Sequence, residues 1–192
     1  MSDKKGYFVH EKAMCESEVG EGTRIWAYAH VMKNATVGKN CNIGEHSFVE
    51  SGAIVGDNCT IKNGVAIWDG VKLESDVFVG PYATFTNDMV PRTKSISSEF
   101  HLVSTTIKRG SSIGANATII CGTVLGQFCM IGAGSVVTKD VPDFALVYGN
   151  PAKVCGWVSM EGERLDFSKG DEVSDSKGRR YLFKDNKISL LN

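Results

Sequence analysis

The feature that most constrains this chain is a six-residue step. Aliphatic residues stand at Val19, Ile25, Val31, Val37, Ile43, Val49, Val55, Ile61, Ile67, Leu73 and Val79, Phe85 closes the series, and the step resumes at Ile107, Ile113, Ile119, Leu125, Ile131 and Val137. Counting that residue as position one, position five is small or β-branched throughout, as at Thr23, Cys41, Ser47, Cys59, Ser111 and Cys129. Position four is mostly Gly, Asn or Asp, from Gly22 and Asn34 to Gly134 and Asp140. These residues tolerate the positive φ of a tight corner. One hexad thus reads as one short strand plus one corner, and a long run of such units signs a parallel β-helix. Cys41, Cys59 and Cys129 become small apolar wall residues, while Cys15, Cys121 and Cys155 have no assigned place.

The 192 residues suffice for one domain with an appendage, and 42% hydrophobic residues disfavour disorder. A formal charge of −1 argues against a dedicated nucleic-acid binder, which needs clustered positive charge. The opening MSDKKGYFVH leads into no apolar run, so neither a signal peptide nor a membrane anchor is expected, and a cytoplasmic location is. No C-x-x-C pair occurs, which with a reducing compartment disfavours disulfides and zinc.

The hexad pattern, over about residues 10 to 142, resembles the left-handed β-helix of the hexapeptide-repeat acyltransferases. The resemblance implies that three hexads make one triangular coil, so that residues 18 apart stack. The left hand comes from the resemblance alone, since the usual crossover rule favours the right. The expected fold is all-β: a left-handed parallel β-helix over 1–150, with a loop insertion at 86–106 and a C-terminal β-hairpin cap over 151–192.

From Phe85 to Ile107 is 22 residues where the register needs six. A long excursion from a rigid solenoid leans toward a functional arm. Stacking by 18 puts Asn87 above Asp69, Ser51 and Lys33, and Thr86 above Trp68 and Glu50. His46, Glu50, Trp68, Asp69, Asn87 and Asp88 are therefore expected to gather beside the arm as a cleft wall. Plainer readings stand beside this one. His46 occupies a corner position, Trp68, Phe48 and Trp26 could fill a subunit interface, and Asp69 and Asp88 could be turn residues.

The stretches "TIKNGVAIWDGVKLESDVFVGPYATFTNDMVPR" and "GSSIGANATIICGTVLGQFCMIGAGSVVTKDVPDFALVYGNPAKVCGW" are similar to a narrower branch, the nucleotide-sugar 3-N-acetyltransferases. These act on UDP-2-acetamido-3-amino-2,3-dideoxyglucuronate or dTDP-3-amino-3,6-dideoxyhexoses in lipopolysaccharide and S-layer glycan pathways. "IGAGSVVTKDVP" with "GNPAK" specifies the acyl-CoA half, and "FTND" followed by "PR" points to the amino-sugar branch. The resemblance implies a homotrimer in which acetyl-CoA and a UDP- or dTDP-linked 3-amino sugar meet between subunits, the amine attacking the thioester directly. Asn87 would orient the sugar near its amine. His46 is the candidate proton acceptor, its ordinary pKa lying near working pH, with Glu50 to orient it. Trp68, Asp69, Asp88 and Arg92 would line the acceptor side, although Arg92 could equally be a solvated charge. CoA would lie along Gly114, Gly132 and Ala133, with Lys139 and Lys153 near its phosphates. Gly132 could also be only a tight corner.

The tail shows Gly-centred turns between short apolar pieces and is expected to cap an open sheet edge. Some related tails look like zinc ribbons, but "SMEGERL" and "SDSKGRRY" carry no Cys or His, so no metal is expected, and "KGRR" reads as a solvated turn. A γ-type carbonic anhydrase would need three converging histidines, and only His10, His30, His46 and His101 exist, none in H-x-x-x-x-H spacing. Transfer to a 4-amino sugar, O-acetylation, and a non-catalytic β-helix scaffold remain as alternatives.

Overall fold

The computed structural model describes residues 6–93, 96 and 100–191. Two-residue strands alternate with corners and stack into three parallel sheets, making a three-sided coil of about eight turns. The first face carries Phe8–Val9, Arg24–Ile25, Asn42–Ile43, Thr60–Ile61, Phe78–Val79, Ser112–Ile113 and Met130–Ile131. The second carries Met14–Cys15, His30–Val31, Phe48–Val49, Ala66–Ile67, Thr84–Phe85, Thr118–Ile119 and Val136–Val137. Thr36–Val37, Ile54–Val55, Val71–Leu73, Thr105–Ile107 and Val124–Leu125 form the third.

Stacking by 18 holds from Val19↔Val37 onward, becomes 34 across the arm, as in Thr84↔Thr118, and shortens to 16 at the end, as in Leu125↔Val141 and Met130↔Leu146. The position-one residues are buried, most of them completely, in one continuous core. Corner residues take positive φ where Gly, Asn or Asp was expected, for example Asn34 (66°), Asp76 (63°) and Gly134 (68°). Tyr28, His46, Tyr82 and Phe128 do so too, because the corner geometry overrides their preference. Asp140 is not among them, since the chain leaves the repeat just after it.

Position five is more than a small wall. Ser17, Thr23, Cys41, Ser47, Cys59 and Ser111 each donate their side-chain hydrogen to the backbone carbonyl fifteen residues on, at 2.7–3.1 Å. The carbonyl sits at a corner, where no strand neighbour can reach it, so a short hydroxyl or thiol satisfies it from inside. Cys41 and Cys59 are thus weak donors as well as fillers. Ser135 lies in the last coil, and among the described residues its buried hydroxyl has no partner.

The first coil departs from the 18-residue register. Phe8 pairs with Arg24 and Met14 with His30, both 16 apart. Cys15 therefore takes an inward place on the second face and packs against the core. Cys121 is buried at the corner closed by the arm, its N–H donating to Thr86 Oγ1 at 2.9 Å.

Beyond the coils, Ala145–Gly149 joins the first face in parallel with Met130–Ile131, then pairs antiparallel with Ala152–Val158, which pairs with Arg164–Leu165. That hairpin begins before residue 150. Glu172–Ser174, Arg180–Lys184 and Lys187–Leu191 form a separate antiparallel sheet. Phe144, Leu165, Tyr181 and Ile188 make a second small core between it and the last coil. Asp175, its carboxylate fully covered, accepts from Arg179 Nε (2.7 Å) and Tyr181 OH (3.0 Å), and Arg179 also reaches Glu161 at 2.6 Å. Arg179 is therefore a structural ion-pair residue, not a solvated turn charge.

Candidate active site

The arm leaves at the corner after Thr84–Phe85 and is stitched back at its root. Val103 N–H donates to Asn87 O (2.9 Å) and Thr105 N–H to Gly70 O (3.0 Å). Leu102 lies over Gly70 and Val103 over Gly122, so that a Cβ added at either glycine would meet them at 3.0 and 3.2 Å. Met89, Val90, Ile96 and Phe100 on the arm are exposed apolar side chains.

Asn87, Asp69, Glu50 and Trp68 come together at this root as the register predicts. Trp68 Nε1 donates to Phe85 O (3.0 Å), and Asn87 Nδ2 donates to Asp69 O (3.4 Å). Asn87 is half-buried, and among the described residues nothing pairs with its Oδ1. A carboxamide held by one N–H, with its oxygen free, can accept a hydrogen from a ligand in a fixed direction. Asp88 Oδ1 caps the turn at Val90 N (2.8 Å), and Arg92 is exposed, its Nη1 donating to Pro91 O. Both serve the arm's own conformation here.

His46 lies elsewhere. It sits at the corner between the first and second faces, whereas Asn87 is at the corner between the second and third. Its ring stacks on Tyr28, with centroids 4.9 Å apart and planes 12° from parallel. Glu50 is four residues further on the same coil, roughly 13 Å away at the strand rise. Its carboxylate instead accepts from Asp69 N–H at 2.8 Å. The expected single wall is thus two groups at opposite edges of one face, and Glu50 is a corner cap rather than an orienter of His46. Sequence stacking gave the columns but not which corner each column occupies.

The CoA candidates also need correction. The N–H groups of Gly114 and Gly132 are used between coils, donating to Ile131 O and Val147 O at 2.8 Å. A Cβ on Gly114 would stand 2.5 Å from Ala133 N, and one on Gly132 would stand 2.7 Å from Tyr148 Cβ. These glycines let successive coils approach, and neither has positive φ. At this corner the N–H groups of Ala115 and Ala133 have no acceptor among the described residues. Lys153 is exposed on the tail hairpin opposite Tyr148, beside this corner, while exposed Lys139 lies past the strand Val136–Val137. No group of three or more His, Cys, Asp or Glu among the described residues could hold a metal ion, and no helix among them is long and apolar enough to cross a membrane.

A pair absent from the sequence expectations is His30 with Glu16, Nε2 to Oε2 at 2.7 Å. The ring of His30 also meets Phe48 edge-on at 5.5 Å, and Phe48 meets Trp68 at 5.6 Å. The shortened first coil brings Glu16 within reach, so an 18-residue register could not have shown it.

A hexad-built, three-sided parallel coil with one arm at its middle defines a class of transferase scaffold, and comparison with known proteins agrees. Residues 16–51, 52–87 and 104–139, more than half the chain, match the family described as bacterial transferase hexapeptide (six repeats), and the chain belongs to that family, with its left-handed β-helix. It is 46% identical over 87 residues to the dTDP-3-amino-3,6-dideoxy-alpha-D-galactopyranose 3-N-acetyltransferase of Aneurinibacillus thermoaerophilus, a match covering 45% of each chain. To the serine acetyltransferase of Buchnera aphidicola (Acyrthosiphon pisum) it is 37% identical over 98 residues, 51% of this chain and 33% of that one. The chain thus spans less than half the length of these curated relatives. Among solved structures, a variant of AntD, an N-acyltransferase from Bacillus cereus in complex with dTDP and coenzyme A, superposes with a TM-score of 0.55 at 15% identity. That match covers 81% of this chain and 85% of that one. The UDP-N-acetylglucosamine acyltransferase of Campylobacter jejuni also gives 0.55, at 14% identity over 79% and 73% of the two chains. These two likenesses bear on the fold.

Proposed function

We propose that this chain is an acetyl-CoA-dependent N-acetyltransferase that acetylates the 3-amino group of a nucleotide-linked amino sugar in surface-glycan biosynthesis, lipopolysaccharide included. The observation that carries this reading is Asn87, a half-buried carboxamide with a free oxygen at the root of the arm, in a chain 46% identical over 87 residues to a dTDP-3-amino-sugar 3-N-acetyltransferase. The same relative favours a dTDP over a UDP acceptor.

In the reaction the neutral amine attacks the thioester carbonyl, forming the C–N bond. The carbonyl is restored as the CoA thiolate leaves, and the ammonium proton passes to a base or to water. Asn87 Oδ1 accepts an amine or hydroxyl hydrogen of the sugar and fixes its approach. Such alignment can lower a barrier by roughly 7–11 kcal/mol. The free N–H groups of Ala115 and Ala133 are suited to an acyl or pantetheine carbonyl, and Lys153 to a phosphate. His46, exposed on the same edge of the β-helix as Ala133 but four coils nearer the N-terminus, can take the proton through water.

Donor and acceptor groups occupy different corners of one chain, a face-width apart. A site that uses both needs two copies side by side, which supports a homotrimer with the cleft between subunits. A cytoplasmic setting fits six cysteines held as thiols. Thiol release from acetyl-CoA is to be followed with UDP- and dTDP-linked 3-amino and 4-amino sugars, products being identified by mass spectrometry. Turnover of a 3-amino sugar is expected. Turnover confined to 4-amino sugars, or none with CoA bound, would overturn the acceptor assignment.

A further inference from the structure

The His30–Glu16 pair has no part in the reaction just described, yet it is built and reachable. The side chains are 33% and 45% exposed, and Nε2 and Oε2 are 2.7 Å apart. His30 lies on the outer surface of the second face, the row that continues through Phe48 and Ala66 to Thr84. Thr84 is on the coil that carries Asn87, three coils from His30. At the spacing of stacked strands this is about 14 Å along the axis.

Donor groups stand on the other side of Asn87. Ala115 and Ala133 lie on coils beyond it and Lys153 on the hairpin that follows them, so an acceptor whose amine meets the thioester near Asn87 must extend the remaining length of its body toward the N-terminal coils. A hexose, a diphosphate and a ribose in series can cover the distance to His30. We propose that His30 and Glu16 form the nucleobase subsite of the acceptor and select a uracil- or thymine-type base. This rests on the nucleotide-sugar reading above.

The chemistry is specific. Glu16 Oε2 holds the Nε2 hydrogen of His30, which fixes the ring and leaves Oε1 to accept a second hydrogen. Uracil and thymine carry a hydrogen on N3, whereas the N3 of cytosine is itself an acceptor. A base laid over His30, between Glu16 and the edge of Phe48, donates N3–H to the carboxylate, while cytosine faces it lone pair to lone pair. A hydrogen bond to a charged group that is lost or reversed changes affinity by about ten-fold or more.

The test is binding of UDP, dTDP and CDP to the full chain by calorimetry, with CoA binding as the control for fold. The wild-type protein is expected to prefer UDP and dTDP to CDP. Glu16→Gln keeps the bond to His30 but turns an N–H toward the base, so it should lose about ten-fold in UDP and dTDP affinity and gain relative affinity for CDP. His30→Gln, which releases Glu16, should show the same loss without the gain. Unchanged affinities and an unchanged UDP-to-CDP ratio in Glu16→Gln overturn the subsite and leave the proposed function standing. A wild-type protein that binds CoA but none of the three nucleotides overturns the acceptor class, and the subsite with it.

Discussion

Gly114→Ala should separate coil packing from corner conformation. The new methyl would stand 2.5 Å from Ala133 N and 2.8 Å from Ala133 Cα and Gly132 C, all backbone of the next coil. No side chain can swing away, and the in-register hydrogen bonds of Ser112–Ile113 to Met130–Ile131 hold the coils together on that face. Overpacking of this kind costs about 1–3 kcal/mol. For a chain of this size each kcal/mol moves the melting temperature by about 2–4 °C, so the drop should be roughly 2–12 °C. The strain falls on Ala133, whose N–H is proposed above to meet the acyl donor, so KM for acetyl-CoA should rise while UDP or dTDP binding is kept. Gly134→Ala is the contrast, with φ at 68° and nothing within 4 Å of its Cβ, so it pays only the left-handed backbone cost of about 1–2 kcal/mol. Scanning calorimetry at one protein concentration and steady-state kinetics read both effects. A Gly114→Ala protein with wild-type melting and wild-type KM for acetyl-CoA would refute the close-approach argument.

Asn87→Ala should lower kcat/KM for the amino sugar by about 100-fold, the scale of losing one positioning contact, with an unchanged melting temperature. His46→Gln separates a base from a bystander: a flattened acid limb in the pH–rate profile supports the base, and an unchanged profile removes it. Burial opposes ionisation of Asp175, but the Arg179 guanidinium, the backbone N–H groups and the Tyr181 hydroxyl outweigh it and hold its carboxyl at about 2. A depressed carboxyl stabilises above its unfolded value near 4 and loses that stabilisation as pH falls toward 2. Asp175→Asn should therefore weaken the cap at neutral pH and flatten the acid limb of its stability curve, followed by tryptophan fluorescence of Trp157. Burial pushes the Cys129 thiol up to about 12, and the neighbouring Cys41 thiol together with burial pushes Cys59 up as well. Thiol titration at pH 8 should label half-buried Cys15 and Cys155 in the native protein, and Cys41, Cys59, Cys121 and Cys129 only on unfolding.

The candidate site was partly legible in the sequence. Asn87 above Asp69, and Glu50 beside Asp69, follow from counting 18, because every coil between them is complete. The dyad of Glu16 and His30 could not be counted out, because the first coil is two residues short and nothing in its composition announces that. The partner of Glu50 was misread for a related reason. Four residues along a strand look near in sequence, but a strand is extended, and the corner N–H of Asp69 on the next coil is closer.

What the sequence determined by itself is the repeat. A large aliphatic residue every six positions, a small residue opposite it and a corner former between them specify a parallel β-helix, because that coil buries all of those positions at once, while its hand is not written in the spacing. Only the tertiary structure decided where coils touch and where corners face. Gly114 and Gly132 look like further corner glycines, yet they are spacers that keep one backbone from striking the next. Cys41 and Cys59 look like apolar filler, yet they feed hydrogens to carbonyls fifteen residues away. Both roles depend on separations between coils, and periodicity along a chain carries no measure of them.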